Sequence, residues 1–152
     1  MKTILRVLFL TVAVALAADA PDPIIGTWTL NVAKSKFSPG PAAKSVTRKY
    51  AQTAQGVALT VKGVAADGSP ISWHSTFKYD GKEYPVTGSP DIDMLSLHRV
   101  NANTVKNTVK KAGKVLGTGT RTVSADGKVM TLSAKGTDAK GPYDNVAVYD
   151  KQ

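Results

Sequence analysis

The sequence predicts an all-β fold, an antiparallel up-and-down meander of eight to ten strands closed into a barrel. Three observations carry this. Short runs rich in Val, Thr, Ile and Tyr alternate apolar with polar positions, the period of a half-buried strand. Turn dipeptides separate the runs, among them Asp67-Gly68, Asp80-Gly81 and Asp126-Gly127, which tolerate positive φ in tight hairpins. Helical periodicity is nearly absent beyond residue 17.

The strands follow a leader. Lys2 and Arg6 precede the apolar run Val7 to Ala17, and Ala15-Leu16-Ala17 has the small-x-small pattern of a signal-peptidase site. That run is too short to span a bilayer, which needs about 20 residues. We therefore expect a cleaved signal peptide at 1–17, a short linker at 18–25 and a single barrel domain at 26–152. The product should be soluble and monomeric, in the periplasm or outside the cell. No cysteine occurs, so neither an N-terminal lipid anchor nor a disulfide is available.

Residues 18–152 hold 18 basic and 11 acidic side chains, a net charge of +7. Fifteen of the cations are lysines scattered through strands and turns; the arginines are Arg48, Arg99 and Arg121. Nucleic-acid readers favour arginine for its bidentate fork, so no nucleic-acid partner is expected. Dispersed lysines read as a solvated exterior that discourages edge-to-edge pairing.

The elements fall in order. A strand at 27–33 leads into a long loop, Lys34 to Lys44, with Pro39 and Pro41 around Gly40. Strands at 45–53 and 56–65 come next, the second meeting 70–79 across Asp67-Gly68. The strand at 83–87 follows Asp80-Gly81, and 92–100 meets 103–112 across Asn101 to Asn103. Gly113-Lys114 leads to 115–123, Asp126-Gly127 to 128–136, and Thr137 to Pro142 to the last strand at 143–150. Closing such a meander into a barrel removes its edges. Gly63, Gly117, Gly119 and Gly136 interrupt strands where bulges or sharp coiling would help closure.

The barrel is not expected to insert in a membrane. Thr104, Lys106, Thr108 and Lys110 share one face, and Val105, Asn107 and Val109 the other, so neither face suits lipid.

Gly26-Thr27-Trp28 resembles the Gly-x-Trp start of lipocalins and fatty-acid-binding proteins, in which the tryptophan plugs one barrel end. Thr120 to Lys128 is similar to their strand with an inward arginine before an Asp-Gly-Lys hairpin. Val148-Tyr149-Asp150-Lys151 resembles the closing strand of the fatty-acid-binding proteins. The chain most resembles the small secreted lipocalin-like (calycin) barrels of bacteria. This implies Trp28 as a structural plug, with its indole N–H on a backbone carbonyl, and a small amphipathic or hydrophobic ligand inside. Two departures stand out. The arginine that fatty-acid-binding proteins place two residues before the closing tyrosine is Ala147, and residues 34–44 leave no room for their two lid helices.

Arg121 is the first candidate ligand-binding residue, since alternation sets it among Val115, Gly117, Gly119 and Val123, with space for an anion. An arginine there could instead cover Trp28 or pair with an aspartate. Trp73 and Phe77 lie on the apolar face of Pro70 to Tyr79, lining either a packed core or a cavity. Tyr149, by the resemblance, and Arg99 complete the candidate set. His74 and His98 share no motif, and Asp91 and Asp93 read as turn residues, so no metal site is expected. No nucleophile elbow, P-loop or catalytic triad is visible, and no cofactor is implied. The expected function is interior ligand binding. A filled barrel acting through its basic surface is the alternative, and an isomerase-type enzyme using a histidine base is the third reading.

Overall fold

The computed structural model describes residues 20–152, so the expected signal peptide at 1–17 lies outside the described residues. Eleven strands form one antiparallel sheet: β1 (Gly26–Leu30), β2 (Lys36–Ser38), β3 (Ser45–Thr53), β4 (Gly56–Val64), β5 (Pro70–Phe77), β6 (Asp80–Pro85), β7 (Met94–Asn101), β8 (Thr104–Lys111), β9 (Lys114–Val123), β10 (Val129–Asp138) and β11 (Gly141–Lys151). The spatial order is β5-β4-β3-β1-β11-β10-β9-β8-β7-β6, with β2 off this path on β11; the first strand sits beside the last and beside β3, and every other neighbour is consecutive. β5 and β6 are left as the two edges. They meet through a single bridge, His74 and Thr87 exchanging N–H···O bonds of 2.9 Å. Ser75 Oγ adds a bond of 2.8 Å to the Pro85 carbonyl. The meander is thus a nearly closed barrel, as the hairpin rhythm predicts.

The loop expected at 34–44 is a strand at its start. The Asn31 side chain accepts from the Lys34 N–H at 3.1 Å and caps a single 3₁₀ turn at Val32–Lys34. Ser35 Oγ then donates to the Asn31 carbonyl and accepts from the Val148 N–H. These bonds steer the chain back onto β11, where Lys36 to Ser38 pairs with Asp144 to Val146. β1 and β2 are therefore one broken strand along β11. The prolines at 39 and 41 end it, because proline cannot donate to a ladder.

The core follows the alternation read from the sequence. Trp28, Val46, Tyr50, Leu59, Val61, Phe77, Leu97, Val105, Val123, Met130 and Tyr149 all point inward and are buried. Trp28 is fully covered, and its indole N–H donates to the Ile24 carbonyl at 2.7 Å. The cation above its ring is Lys151, with Nζ 5.1 Å from the centroid. Arg121, the other cation considered for that place, lies instead beside Tyr50 and Tyr79. Gly26 explains the first letter of the motif: it has φ +135°, and a Cβ would lie 2.8 Å from Lys151 Cε. Glycine there lets the lysine stem fold down onto the plug.

The interior glycines act through space more than through bulges. A Cβ on Gly63, Gly119 or Gly136 would lie about 2 Å from the carbonyl oxygen of Ser45, Ser133 or Leu116, each on a neighbouring strand. Only Gly117 borders a register shift, the one between Val109 and Lys110.

Candidate functional site

The barrel interior contains two arginines. Arg121 projects from β9 and is 5 % exposed. One of its N–H groups donates to the Tyr79 hydroxyl at 2.8 Å, and its guanidinium lies 5.3 Å from the Tyr50 ring centre and 5.4 Å from that of Tyr79. Arg48 projects from β3, two residues before Tyr50 and on the same face. Its Nε–H donates to the Tyr149 hydroxyl at 3.1 Å. Its guanidinium stands 5.6 Å from the Trp73 ring and 5.4 Å from that of Tyr149. Aromatic faces hold both cations by cation–π attraction. A guanidinium has five N–H donors, and among the described residues neither arginine meets a carboxylate.

Both guanidinium groups face a cavity of about 130 Å³. Trp73 and Phe77 from β5 line one wall, Leu95 and Leu97 from β7 another, and Asn107 and Val109 from β8 a third. Toward the end of the barrel away from Trp28, the space widens into an open mouth of about 1160 Å³. Pro39, Gly40 and Pro41 border it on one side and the turns at 65–70 and 88–91 on the other. Arg48 and Trp73 line both spaces and stand at the junction between them.

The electrostatics are those of a fixed cation pair. Burial works against the Arg48 charge, but the Tyr149 and Tyr50 hydroxyls outweigh it and move the group further up from its ordinary value. Burial pushes the Tyr79 phenol up to about 12; the Arg121 cation pulls it down and the Asp22 carboxylate pushes it up. A raised phenol value favours the protonated form in the folded state. Its contribution to stability is therefore full below pH 10 and is lost as pH rises through about 12. In a near-ultraviolet titration of the phenolates, Tyr79 is expected to ionise after an ordinary exposed tyrosine. A phenol at position 79 ionising near 10, read from the difference from Tyr79→Phe, would contradict its burial against Arg121.

Arg121, Trp73, Phe77 and Tyr149 therefore come together around one interior. Arg99 does not join them. It pairs with Asp22 at 2.5 Å and lies 4.0 Å over the Tyr79 ring. A carboxylate already holds it, and it does not line the cavity that Arg121 and Trp73 share. His74 and His98 are both exposed, which leaves the interior without a histidine base. Ser89 Oγ accepts from the N–H groups of Asp91 and Ile92, as a turn residue does, whereas Asp93 Oδ2 accepts from the N–H of Ala112, 19 residues away. Among the described residues no cluster of three metal-ligating side chains occurs.

Arg48 is the site residue that sequence reasoning missed. Its signal was present: Val46, Arg48 and Tyr50 alternate with Ser45, Thr47 and Lys49, and the first set is the inward one. Arg48 brings a second interior guanidinium to Tyr149 from β3, while Ala147 stands on β11 where the fatty-acid-binding proteins carry theirs.

Neither a protein-family model nor a curated protein matches the sequence. Solved structures similar to this chain include the zebrafish ileal bile acid-binding protein in complex with cholic acid, at 10% identity, 86% of this chain, 99% of that one and a TM-score of 0.47. As-p18, an extracellular fatty acid binding protein, is similar at 16% identity over 87% of this chain and 98% of its own, with a TM-score of 0.49. A redesigned β-barrel, mFAP1, bound to DFHBI, matches at 14% identity over 85% of this chain and 95% of its own, with a TM-score of 0.43. The barrel assignment itself rests on the strand order and closure described above.

Proposed function

We propose that this protein is a binding barrel for a small amphipathic anion, acting as a monomer. The observation that carries the reading is the pair Arg48 and Arg121 in one apolar and aromatic cavity, with no carboxylate to neutralise them among the described residues. Buried charges are ordinarily paired, and an anionic head group would supply the missing partner. The cavity holds roughly the volume of four waters. The head and its first carbons fit there, and the rest of an apolar tail extends past Trp73 into the open mouth. Export supports the same reading: Lys2 and Arg6 before Val7 to Ala17 would send the barrel to the periplasm or the medium, where it would carry such a molecule in solution.

The test uses two naphthalene dyes of similar shape, anilinonaphthalene sulfonate and the uncharged phenylnaphthylamine, titrated by fluorescence. The sulfonate is expected to bind at least about ten-fold more tightly, as one charge-assisted contact provides. Equal affinity would remove the anion preference. Absence of binding by both would favour a filled barrel acting through its lysine-rich exterior.

A further inference from the structure

We propose that the ligand of this cavity carries a doubly charged head, a phosphomonoester on an apolar tail. The inference rests on the anion-binding reading given above and narrows the head from any anion to a dianion.

The count of charges carries it. Arg48 and Arg121 both line the 130 Å³ cavity, and a guanidinium stays charged in proteins. Among the described residues no carboxylate lines that space. Asp22 is held by Arg99 at 2.5 Å, and Asp67, Asp91 and Asp138 border the outer mouth, with Lys140 among them. The inner cavity is therefore left with two positive charges. A carboxylate or a sulfate ester cancels one of them, whereas buried charges are ordinarily paired. A phosphomonoester brings about −1.5 to −2 near neutral pH, on three acceptor oxygens.

Size decides how the two charges arrive. A space of roughly four waters has room for one compact head and not for two separate groups, and a head that fills it meets both guanidiniums. The wall is also rich in donors. Each guanidinium has one N–H on a tyrosine hydroxyl and further N–H groups beside it. Tyr149 accepts from Arg48, so its own O–H is left to donate, and it lines the mouth next to that arginine. A fully ionised phosphate, which only accepts, matches such a wall. Its ester oxygen then leads the apolar chain past Trp73 and Ile71 into the mouth.

The experiment titrates decyl phosphate, decyl sulfate and inorganic phosphate into the protein by calorimetry, below micelle-forming concentrations. It is run at about pH 8 and about pH 5, on either side of the second ionisation of the phosphate near 6. Decyl sulfate has the same shape and tail with one charge at both values, so it reports whatever else changes in the protein. At the higher pH decyl phosphate is expected to bind about ten-fold or more tightly than decyl sulfate. At the lower pH that advantage should shrink by about five-fold or more. Inorganic phosphate, without a tail, should bind at least about ten-fold more weakly than decyl phosphate. Arg48→Met leaves one cation and should remove most of the advantage of phosphate over sulfate, whatever it does to both. The proposal is overturned if the two amphiphiles bind equally at the higher pH, if the advantage is the same at the lower one, if it survives in Arg48→Met, or if inorganic phosphate matches decyl phosphate. In each of those cases binding of decyl sulfate keeps the anion-binding reading in place. If neither amphiphile binds, that reading falls and this inference with it. Should Arg48→Met fail to fold, the comparison across pH in the unmodified protein still decides.

Discussion

Trp28→Ala is expected to lower the unfolding free energy by about 3–5 kcal/mol, the scale for deleting a buried large aromatic. The ring is fully covered, and its N–H is bound to the Ile24 carbonyl. Lys151 covers it from β11, and the same lysine donates to the Pro23 carbonyl at 3.3 Å. Loss of the indole therefore opens a void and also releases the contacts that tie the first and last strands to the segment before β1. Urea unfolding with an unchanged dependence on denaturant would report the loss directly. A change below about 0.5 kcal/mol, the range of ordinary surface substitutions, would mean that Trp28 is not a plug.

Arg121→Met is expected to weaken the sulfonate dye by about ten-fold or more and to leave the neutral dye nearly unchanged, since one charge-assisted contact is removed. Arg48→Met should act in the same direction, because both guanidinium groups face the same cavity. Stability separates a binding arginine from a structural one. Arg121 is buried beside tyrosines with no carboxylate among the described residues, so an apolar side chain of similar length relieves a desolvated charge. The unfolding free energy of Arg121→Met should stay within about 1 kcal/mol of the unmodified protein or rise above it. A loss of about 3 kcal/mol or more, the cost of breaking a buried charge pair, together with unchanged dye binding, would make Arg121 a structural residue. The Arg99–Asp22 pair is a useful contrast: Arg99→Met breaks an ion pair and should not alter dye selectivity.

Much of this barrel was legible because a strand writes its orientation into every second residue. Trp73, Ser75 and Phe77 pointed inward where alternation put them, as did Arg121 between Gly119 and Val123. β2 escaped because three residues, Lys36 to Ser38, are too few to show a period, and Pro39 follows at once. What ordered it was Ser35 reaching Val148, a contact across 113 residues. The place of Arg99 was hidden for the same reason, since its partner Asp22 lies 77 residues away in a segment with no strand pattern. Arg48 differs from these two. Its face could be read locally, but it sits among Lys44, Lys49 and other outward cations that make it look like one more solvated charge.

The placement of β1 between β3 and β11 has a consequence for how the chain acquires its structure. β1 finds one of its two neighbours only when residues 149–151 are in place, more than 100 residues further along (the Trp28 partner is Lys151). Every hairpin from β3 to β10 is local, but ring closure spans nearly the whole length, and contacts of such separation slow folding. A nascent or half-threaded chain is thus an open ribbon with its Trp28 edge unsatisfied, and it gains a protected state in one late step. Chains ending before Gly141 should remain association-prone ribbons, whereas chains that include β11 fold all at once.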